Sequence, residues 1–252
     1  MAEPLLKIHG LRKRFGGVIA TDNLHLAVAV GGVHALIGPN GAGKTTLIAQ
    51  ICGEVAADSG RIEFAGRDIT RMPAHERAAG GLARSFQITR IFGNLTVAAN
   101  VALAVQARSG SSMRFWRPVT ADQAMRAEAV DILTEFGLSS SAALPAASLP
   151  HAAQRRLEVA LACACRPRLL LLDEPLAGMG ADDALPMIEL IGELKRRTTI
   201  LLVEHDMEAV FRLADTISVL VAGRVIASGR PDAIRDDAGV RSAYLGEDEL
   251  TA

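Results

Sequence analysis

Residues 38–46 of this 252-residue chain read Gly38-Pro39-Asn40-Gly41-Ala42-Gly43-Lys44-Thr45-Thr46. The stretch fits the pattern G-x-x-x-x-G-K-[ST], in which glycines let backbone N–H groups turn inward. An apolar run at 33–37 precedes it and predicts a short buried strand, while residues 46–51 have the pattern of an opening helix. A strand, a glycine loop and a helix N-terminus together predict a cradle for phosphate groups.

The side chains that end this loop have the chemistry of a nucleoside triphosphate site. Lys44 is expected to reach the β- and γ-phosphates, and the Thr45 hydroxyl is expected to bind Mg²⁺. The alternative is an ordinary glycine-rich turn, but the flanking strand and helix favour the phosphate site. We therefore predict that the whole stretch, from Gly38 to Thr46, contacts a nucleoside triphosphate.

Bulk properties argue against several other classes of protein. The formal net charge is -1 and the isoelectric point is about 6.6, so no basic excess indicates a nucleic-acid partner. The apolar stretch 157–172 is interrupted by Glu158, Arg166 and Arg168, which is not the pattern of a membrane span. The N-terminus lacks a basic region followed by an apolar one, so we expect no signal peptide.

The chain contains three cysteines, Cys52, Cys163 and Cys165, without the spacing of a disulfide framework. An odd number in this arrangement is typical of reduced thiols in the cytosol. Cys163 and Cys165 could in principle bind a metal ion, but their apolar helical surroundings favour packing in the core.

The pattern along the chain predicts an α/β fold of the P-loop NTPase type, with a mostly parallel sheet flanked by helices. Alternating residues at 5–9 and 24–28 predict an antiparallel N-terminal β part, with 5–9 as an edge strand. Alanine-rich segments with helical spacing predict a helical subdomain over about 88–165. Strands and helices alternate after it, as in a parallel sheet covered by helices. We expect one domain, 1–252, with its core at 1–87 and 166–230 and a C-terminal tail at 231–252.

A second group of polar residues is predicted to complete the phosphate site. Asp173 ends a continuous apolar run and Glu174 follows it. A carboxylate at the end of a buried strand can hold Mg²⁺ through water, and the next can act as general base toward the attacking water. The alternative is an acidic turn that only ends the strand. Gln87 follows another strand and could contact the metal or the water, although an isolated glutamine there is more often solvated. His205, beyond a later strand, is placed to bind the γ-phosphate.

In the order and spacing of these residues, the chain resembles the ATP-binding subunits of ABC transporters over nearly its whole length. The resemblance implies that Phe15 stacks on adenine; the alternative is a phenylalanine packed beneath the sheet. It also implies that the nucleotide is ATP and that two nucleotide-binding subunits close head to tail around it.

One branch of that family, the importers of branched-chain amino acids and related amides or urea, is the most similar. Six segments carry this narrower resemblance: Arg84-Ser85-Phe86-Gln87, Leu95-Thr96-Val97, Gln154-Arg155-Arg156-Leu157-Glu158, Ala177-Gly178-Met179, Glu204-His205-Asp206-Met207 and Ala243-Tyr244-Leu245-Gly246. The branch implies a second nucleotide-binding subunit, two transmembrane permease subunits and, indirectly, a periplasmic binding protein. It further implies a cytoplasmic position, peripheral on the inner face of the cell membrane.

The signature segment departs from the family pattern Leu-Ser-Gly-Gly-Gln. Here it reads Leu149-Pro150-His151-Ala152-Ala153. In the family this segment binds the γ-phosphate held by the other subunit. Pro150 has neither a hydroxyl nor an N–H, and Ala152 carries a methyl where glycine permits close approach. Gly180 and Ala181 also replace the Asn-Pro that is usual in this branch.

Two hypotheses of function follow. The first is an ATPase subunit that energises import and is weak in isolation, paired with a paralogue whose signature is intact. The alternative is a regulatory or structural nucleotide-binding subunit with little hydrolysis of its own. A soluble ABC-type ATPase of DNA repair or translation is a distant third, because the chain has no long coiled coil and no basic excess.

Overall fold

An antiparallel sheet forms the N-terminal part of the computed structural model, which describes residues 3–85, 91–108 and 123–243. Its strands are β1 (Leu6–Phe15), β2 (Val18–Val28), β4 (Ser59–Phe64) and β5 (Arg67–Asp68), in the order β2-β1-β4-β5. The prediction that 5–9 forms an edge strand is wrong, because Leu6 pairs with Val28 on one side and with Phe64 on the other. Alternation of apolar residues indicates that one face of a strand is buried, but it does not indicate how many neighbouring strands pair with that strand.

The second sheet carries the parallel strands. Its strands are β3 (Val33–Ile37), β6 (Leu82–Arg84), β7 (Leu169–Asp173), β8 (Thr199–Val203), β9 (Thr216–Val221) and β10 (Arg224–Gly229). Their order is β10-β9-β3-β8-β7-β6, and all adjacent pairs are parallel except β9 with β10. Every residue of β3, β7 and β8 is buried, as expected of strands covered on both faces. The predicted mostly parallel sheet is confirmed.

Helices cover both faces of this sheet. They are α1 (Lys44–Cys52), α2 (Ala74–Ala79), α3 (Val97–Arg108), α4 (Gln123–Glu135), α5 (His151–Ala164), α6 (Ala181–Leu194), α7 (Met207–Leu213), α8 (Pro231–Asp236) and α9 (Ala238–Ala243). Leu169 and Leu171 join a hydrophobic cluster with α1 and the antiparallel sheet, whereas Leu170 and Leu172 join a cluster with α3 to α6. The alternation follows from the strand geometry of β7. Among the described helices, none is long and apolar enough to cross a membrane.

Two polar residues, the buried His34 and the half-buried Cys163, have structural surroundings. The Nε2 atom of His34 lies 2.8 Å from the hydroxyl of Ser218, and burial lowers the pKa of His34 to about 4. Cys163 packs against the cluster around α3 to α6, and burial raises the pKa of its thiol to about 12. Neither group carries charge at neutral pH.

The C-terminal end of α1 is fastened by a buried arginine. Arg77 in α2 is only 3% exposed, and its guanidinium donates to the carbonyls of Gln50 and Ile51 at 2.7 and 2.8 Å. It also donates to the carbonyls of Met72 and Thr70 at 2.8 and 3.1 Å. One side chain therefore joins the last turn of α1 to the segment before α2.

We expect Arg77→Ala to lower the free energy of unfolding by about 2–4 kcal/mol, because it removes the arginine's hydrogen bonds to buried carbonyls. Arg77→Lys should lose less, since an ammonium reaches some of these carbonyls but lacks the planar fork. Urea denaturation of the purified chain measures both changes. The matched control is the exposed Arg71→Ala, expected within about 0.5 kcal/mol of the unmodified chain. Equal stability of the Arg77→Ala and Arg71→Ala variants would contradict the prediction.

Candidate functional site

The carboxyl ends of three parallel strands meet at one edge of the sheet. The β-ladder pairs Val203 of β8 with Leu36 of β3 on one side and with Asp173 of β7 on the other. The glycine loop, Glu174 and His205 each follow within two residues of these three strand ends. The sheet order β3-β8-β7 thus gathers chain segments that are far apart in sequence, at the edge where such folds bind ligands.

The glycine loop has a backbone that other residues would not fit. Gly38, Gly41 and Gly43 have φ angles of 154°, 79° and 105°. A Cβ atom at Gly38 would overlap the carbonyl oxygen of Leu220, and one at Gly43 would overlap that of Ala20. Here glycine is required both by conformation and by close packing of backbone on backbone.

Lys44 opens α1 directly after this loop and is 8% exposed. Its Nζ donates to the carbonyl oxygens of Gly38 at 2.5 Å and Pro39 at 3.1 Å, so the amine curls back over the loop. Burial lowers the pKa of Lys44, while Glu174 and Asp173 act in the opposite direction. The next residue, Thr45, is exposed in the first turn of the helix.

Asp173 is the last residue of β7 and is 2% exposed. Arg84 Nη2 donates to its Oδ2 oxygen at 2.8 Å, and Arg84 Nη1 donates to Glu54 at 2.8 Å. Sequence reasoning missed this arginine as a site residue, although it lies three residues before Gln87 in a segment that carried the family resemblance. For a charged residue at the end of a short strand, no sequence pattern distinguishes a buried, paired side chain from a solvated one.

Glu174 has an unusual backbone. Its φ angle is 50°, in the left-handed region, and its N–H donates to the carbonyl of Val203 at 2.9 Å. A non-glycine residue in this region costs on the order of 1–3 kcal/mol, and such residues cluster at functional sites. The hydrogen bond to Val203 of β8 holds the half-buried Glu174 at the point where the backbone leaves the direction of β7.

A buried carboxylate, Glu204, supports both neighbouring segments. It is 1% exposed, and its two oxygens accept from the N–H groups of Leu176 at 2.9 Å and His205 at 3.0 Å. Burial raises the pKa of Glu204, and these hydrogen bonds partly oppose that rise. The carboxylate joins the turn after Glu174 to His205, two residues before α7. The His205 side chain itself is 62% exposed, with Nδ1 3.8 Å from Glu204.

Phe15 lies at the end of β1 and is 50% exposed, so its ring is not packed beneath the sheet. Val18 and Ile19 nearby are also exposed, and the Lys13 ammonium lies 5.3 Å from the centre of the Phe15 ring. A flat apolar surface of this kind is available to stack on a base. Gln87 lies outside the described residues.

Comparison with known proteins identifies the family. Residues 21–177 match the family described as ABC transporter, and residues 224–249 match the family described as branched-chain amino acid ATP-binding cassette transporter. The chain belongs to the ABC transporter family. It is an ATP-binding cassette with the ATPase function of that family, as the resemblance in the sequence implied.

Full-length relatives are similar to this cassette. The branched-chain amino acid transport ATP-binding protein LivG of Salmonella typhimurium is 38% identical, with 98% of this chain and 100% of that protein covered. BraF of Pseudomonas aeruginosa is 36% identical over the same shares. Among solved structures, the ADP conformation of the cassette MJ1267 has a TM-score of 0.84 and 29% identity, covering 98% of this chain and 100% of that one. These comparisons confirm the predicted fold class.

The cassette starts its signature helix, α5, with a proline. Pro150 is the N-cap residue with φ -56° and ψ 154°, and no side chain caps the helix. Its carbonyl accepts from the Gln154 N–H at 3.0 Å, so the helix forms without the usual serine. Leu149, Ala152 and Ala153 are buried, whereas His151 is exposed.

His151 also lies against the turn that follows Glu174. A Cβ atom added at Gly178 would lie 3.3 Å from the Cε1 atom of His151. Two residues further on, Gly180 is the N-cap of α6 and Ala181 is its first residue. The two segments that depart from the family pattern are therefore close to one another in this subunit.

The residues at the sheet edge fit ATP and Mg²⁺. Gly38, Gly41 and Gly43 have positive φ angles, and a glycine loop with this backbone turns N–H groups toward a bound anion. Lys44 supplies a cation at the same place, and its amine contacts only loop carbonyls in the bonds described above. Thr45 and Asp173 offer the oxygen ligands that Mg²⁺ prefers.

Proposed function

We propose that this cassette hydrolyses ATP to drive an importer of branched-chain amino acids or related small polar solutes. The observation that supports it most directly is the convergence of Lys44, Asp173, Glu174 and His205 on one sheet edge. The match of residues 224–249 to the branched-chain cassettes, and the transport named for LivG and BraF, support the solute class.

In the proposed reaction, Phe15 stacks on adenine and Lys44 neutralises the β- and γ-phosphates. Glu174 accepts a proton from water while the water oxygen forms a bond to the γ-phosphorus. The bond between the γ-phosphorus and the oxygen that bridges it to the β-phosphate breaks, which releases ADP. His205 donates a hydrogen bond to the γ-phosphate. Gln87 orients the water or contacts the metal.

A bound Mg²⁺ would be held by Thr45 and, through water, by Asp173. It would supply positive charge to the β- and γ-phosphate oxygens. The role of the protein is then to fix the direction of the Asp173 carboxylate, which is 2% exposed at the end of β7.

Assembly follows from the same proposal. A second nucleotide-binding subunit, which we propose to be a paralogue, would present its signature to the ATP on Lys44. Two permease subunits would carry the solute, and a periplasmic protein would deliver it, so the cassette would be peripheral on the cytoplasmic membrane face. No nucleic-acid partner is proposed. Within one chain, the core would comprise 1–87 and 166–230, and the helical subdomain 88–165.

Lys44→Ala is expected to weaken ATP binding by the isolated chain at least about tenfold, because a charge-assisted contact to phosphate contributes roughly 1.5–3 kcal/mol. Equilibrium titration with a fluorescent ATP analogue measures the affinity. The partly exposed Lys7→Ala, whose side chain pairs with Glu3, is the matched control and should bind like the unmodified chain. Unchanged affinity of the Lys44→Ala variant would refute the assignment of the phosphate loop.

The proline at the start of α5 favours one second candidate, a regulatory subunit that binds ATP with little turnover. That candidate predicts ATP-dependent dimerisation without phosphate release in the reconstituted complex. Phosphate release that depends on Glu174 would exclude it.

A further inference from the structure

The Arg84 side chain donates a hydrogen bond to the Asp173 carboxylate. We propose that Arg84 is a positioning residue, which holds this carboxylate in the direction that Mg²⁺ requires. The inference rests on the proposed function, in which Asp173 serves the metal. In this inference Arg84 acts through Asp173 and is not assigned a contact with phosphate or with the attacking water.

The backbone fixes the origin of the Arg84 side chain. β6 pairs with β7 in parallel, with Arg84 opposite Leu171, and the Ser85 N–H donates to the Leu171 carbonyl at 2.9 Å. The Ser85 hydroxyl in turn accepts from the Asp173 N–H at 3.4 Å. The arginine therefore extends along the sheet edge, from a fixed strand toward the end of its neighbour.

Both ends of the guanidinium are held. Nη2 donates to Oδ2 of Asp173 and Nη1 donates to Oε2 of Glu54, each at 2.8 Å. The side chains of Arg84 and Asp173 are 10% and 2% exposed, whereas that of Glu54 is 39% exposed. Glu54 follows α1, the helix that Lys44 opens, so Arg84 connects the far end of the phosphate-binding helix with the metal carboxylate.

This arrangement matters because a buried carboxylate needs a partner. Removing one member of a buried ion pair leaves an uncompensated charge, which then turns toward any available donor. A hydrogen bond to Oδ2 is sufficient to fix the rotation of the carboxylate about the Cβ–Cγ bond. Because the carboxylate is planar, this also sets the direction of Oδ1. Partners of metal ligands act in this way, and replacing them typically costs about 10- to 100-fold in metal affinity.

The test is the Mg²⁺ concentration that gives half-maximal enhancement of fluorescent ATP binding by the full chain. Arg84→Ala should raise this concentration about 10- to 100-fold, while binding in EDTA stays unchanged, because the loop and Lys44 are untouched. Arg84→Lys should raise it less, since an ammonium keeps the charge but cannot bond Asp173 and Glu54 as a fork. Glu54→Gln, at an exposed position that does not threaten folding, should give a smaller increase in the same direction.

Arg108→Ala is the matched control. Arg108 makes a two-pronged contact with Glu128, at 2.7 Å on each side, between α3 and α4. Its removal should leave the Mg²⁺ dependence unchanged. If Arg84→Ala does not fold, the Arg84→Lys and Glu54→Gln variants decide the question.

Three outcomes would overturn the inference. If the folded Arg84 variants required the same Mg²⁺ concentration as the unmodified chain, Asp173 would need no positioning, while the proposed function would stand. Equal losses with Mg²⁺ and in EDTA would show a general structural role. Absence of Mg²⁺-dependent binding by the unmodified chain would instead refute both the inference and the proposed function.

Discussion

Glu174→Gln is expected to reduce ATP turnover by the assembled complex about 10²- to 10⁴-fold, with little change in ATP affinity. The glutamate is proposed to act on water, so binding of the phosphates through Lys44 does not depend on it. Glutamine has the same shape as glutamate and can adopt the same backbone, with φ near the observed 50°. The substitution therefore removes the basic carboxylate while the side chain keeps its position. Phosphate release at saturating ATP measures the loss, and titration with a fluorescent analogue measures the affinity.

The matched control is the exposed Glu189→Gln on α6, which should not affect turnover. A second comparison is the equivalent glutamate change in the partner subunit, which we propose to be a paralogue. Because the partner's site would face Pro150 and Ala152, that change should have little effect on an already slow site. Equal losses from the two glutamate changes would show that the altered signature is tolerated.

Restoring the signature is the second large effect. The combined change Pro150→Ser, Ala152→Gly and Ala153→Gln should raise the rate at the partner's site by about 10²- to 10³-fold, the contribution of one preorganised donor to a transition-state anion. Serine would supply a hydroxyl and an N–H at the α5 N-cap, where the proline now offers neither. Phosphate release by the reconstituted complex measures the gain.

The location of that gain can be tested by adding Lys44→Ala, which disables the other site. The increase should persist in this background, because the restored signature faces the partner's phosphate loop. The isolated cassette should hydrolyse ATP near background, since a homodimer presents two altered signatures. Turnover of about 1 s⁻¹ or more by the isolated, unmodified chain would contradict this account. No gain from the restored signature would indicate that Gly180 and Ala181 limit the site independently.

The sequence by itself determined the residues whose chemistry is local. A glycine loop between an apolar strand and a helix is recognisable in the sequence, because positive φ angles and close backbone packing restrict these positions to glycine. The continuous apolar run that ends at Asp173 likewise determined a strand buried on both faces.

Only the tertiary structure decided which distant residues support that chemistry. Arg84 and Asp173 are 89 positions apart, and Leu176 and Glu204 are 28 apart, so no local pattern links either pair. Their contacts arise because β6, β7 and β8 are neighbours in the sheet, and strand order is not encoded in the periodicity of any one strand. The central place of β1 and the left-handed backbone of Glu174 have the same origin. Each is set by hydrogen bonds to strands or residues elsewhere in the chain.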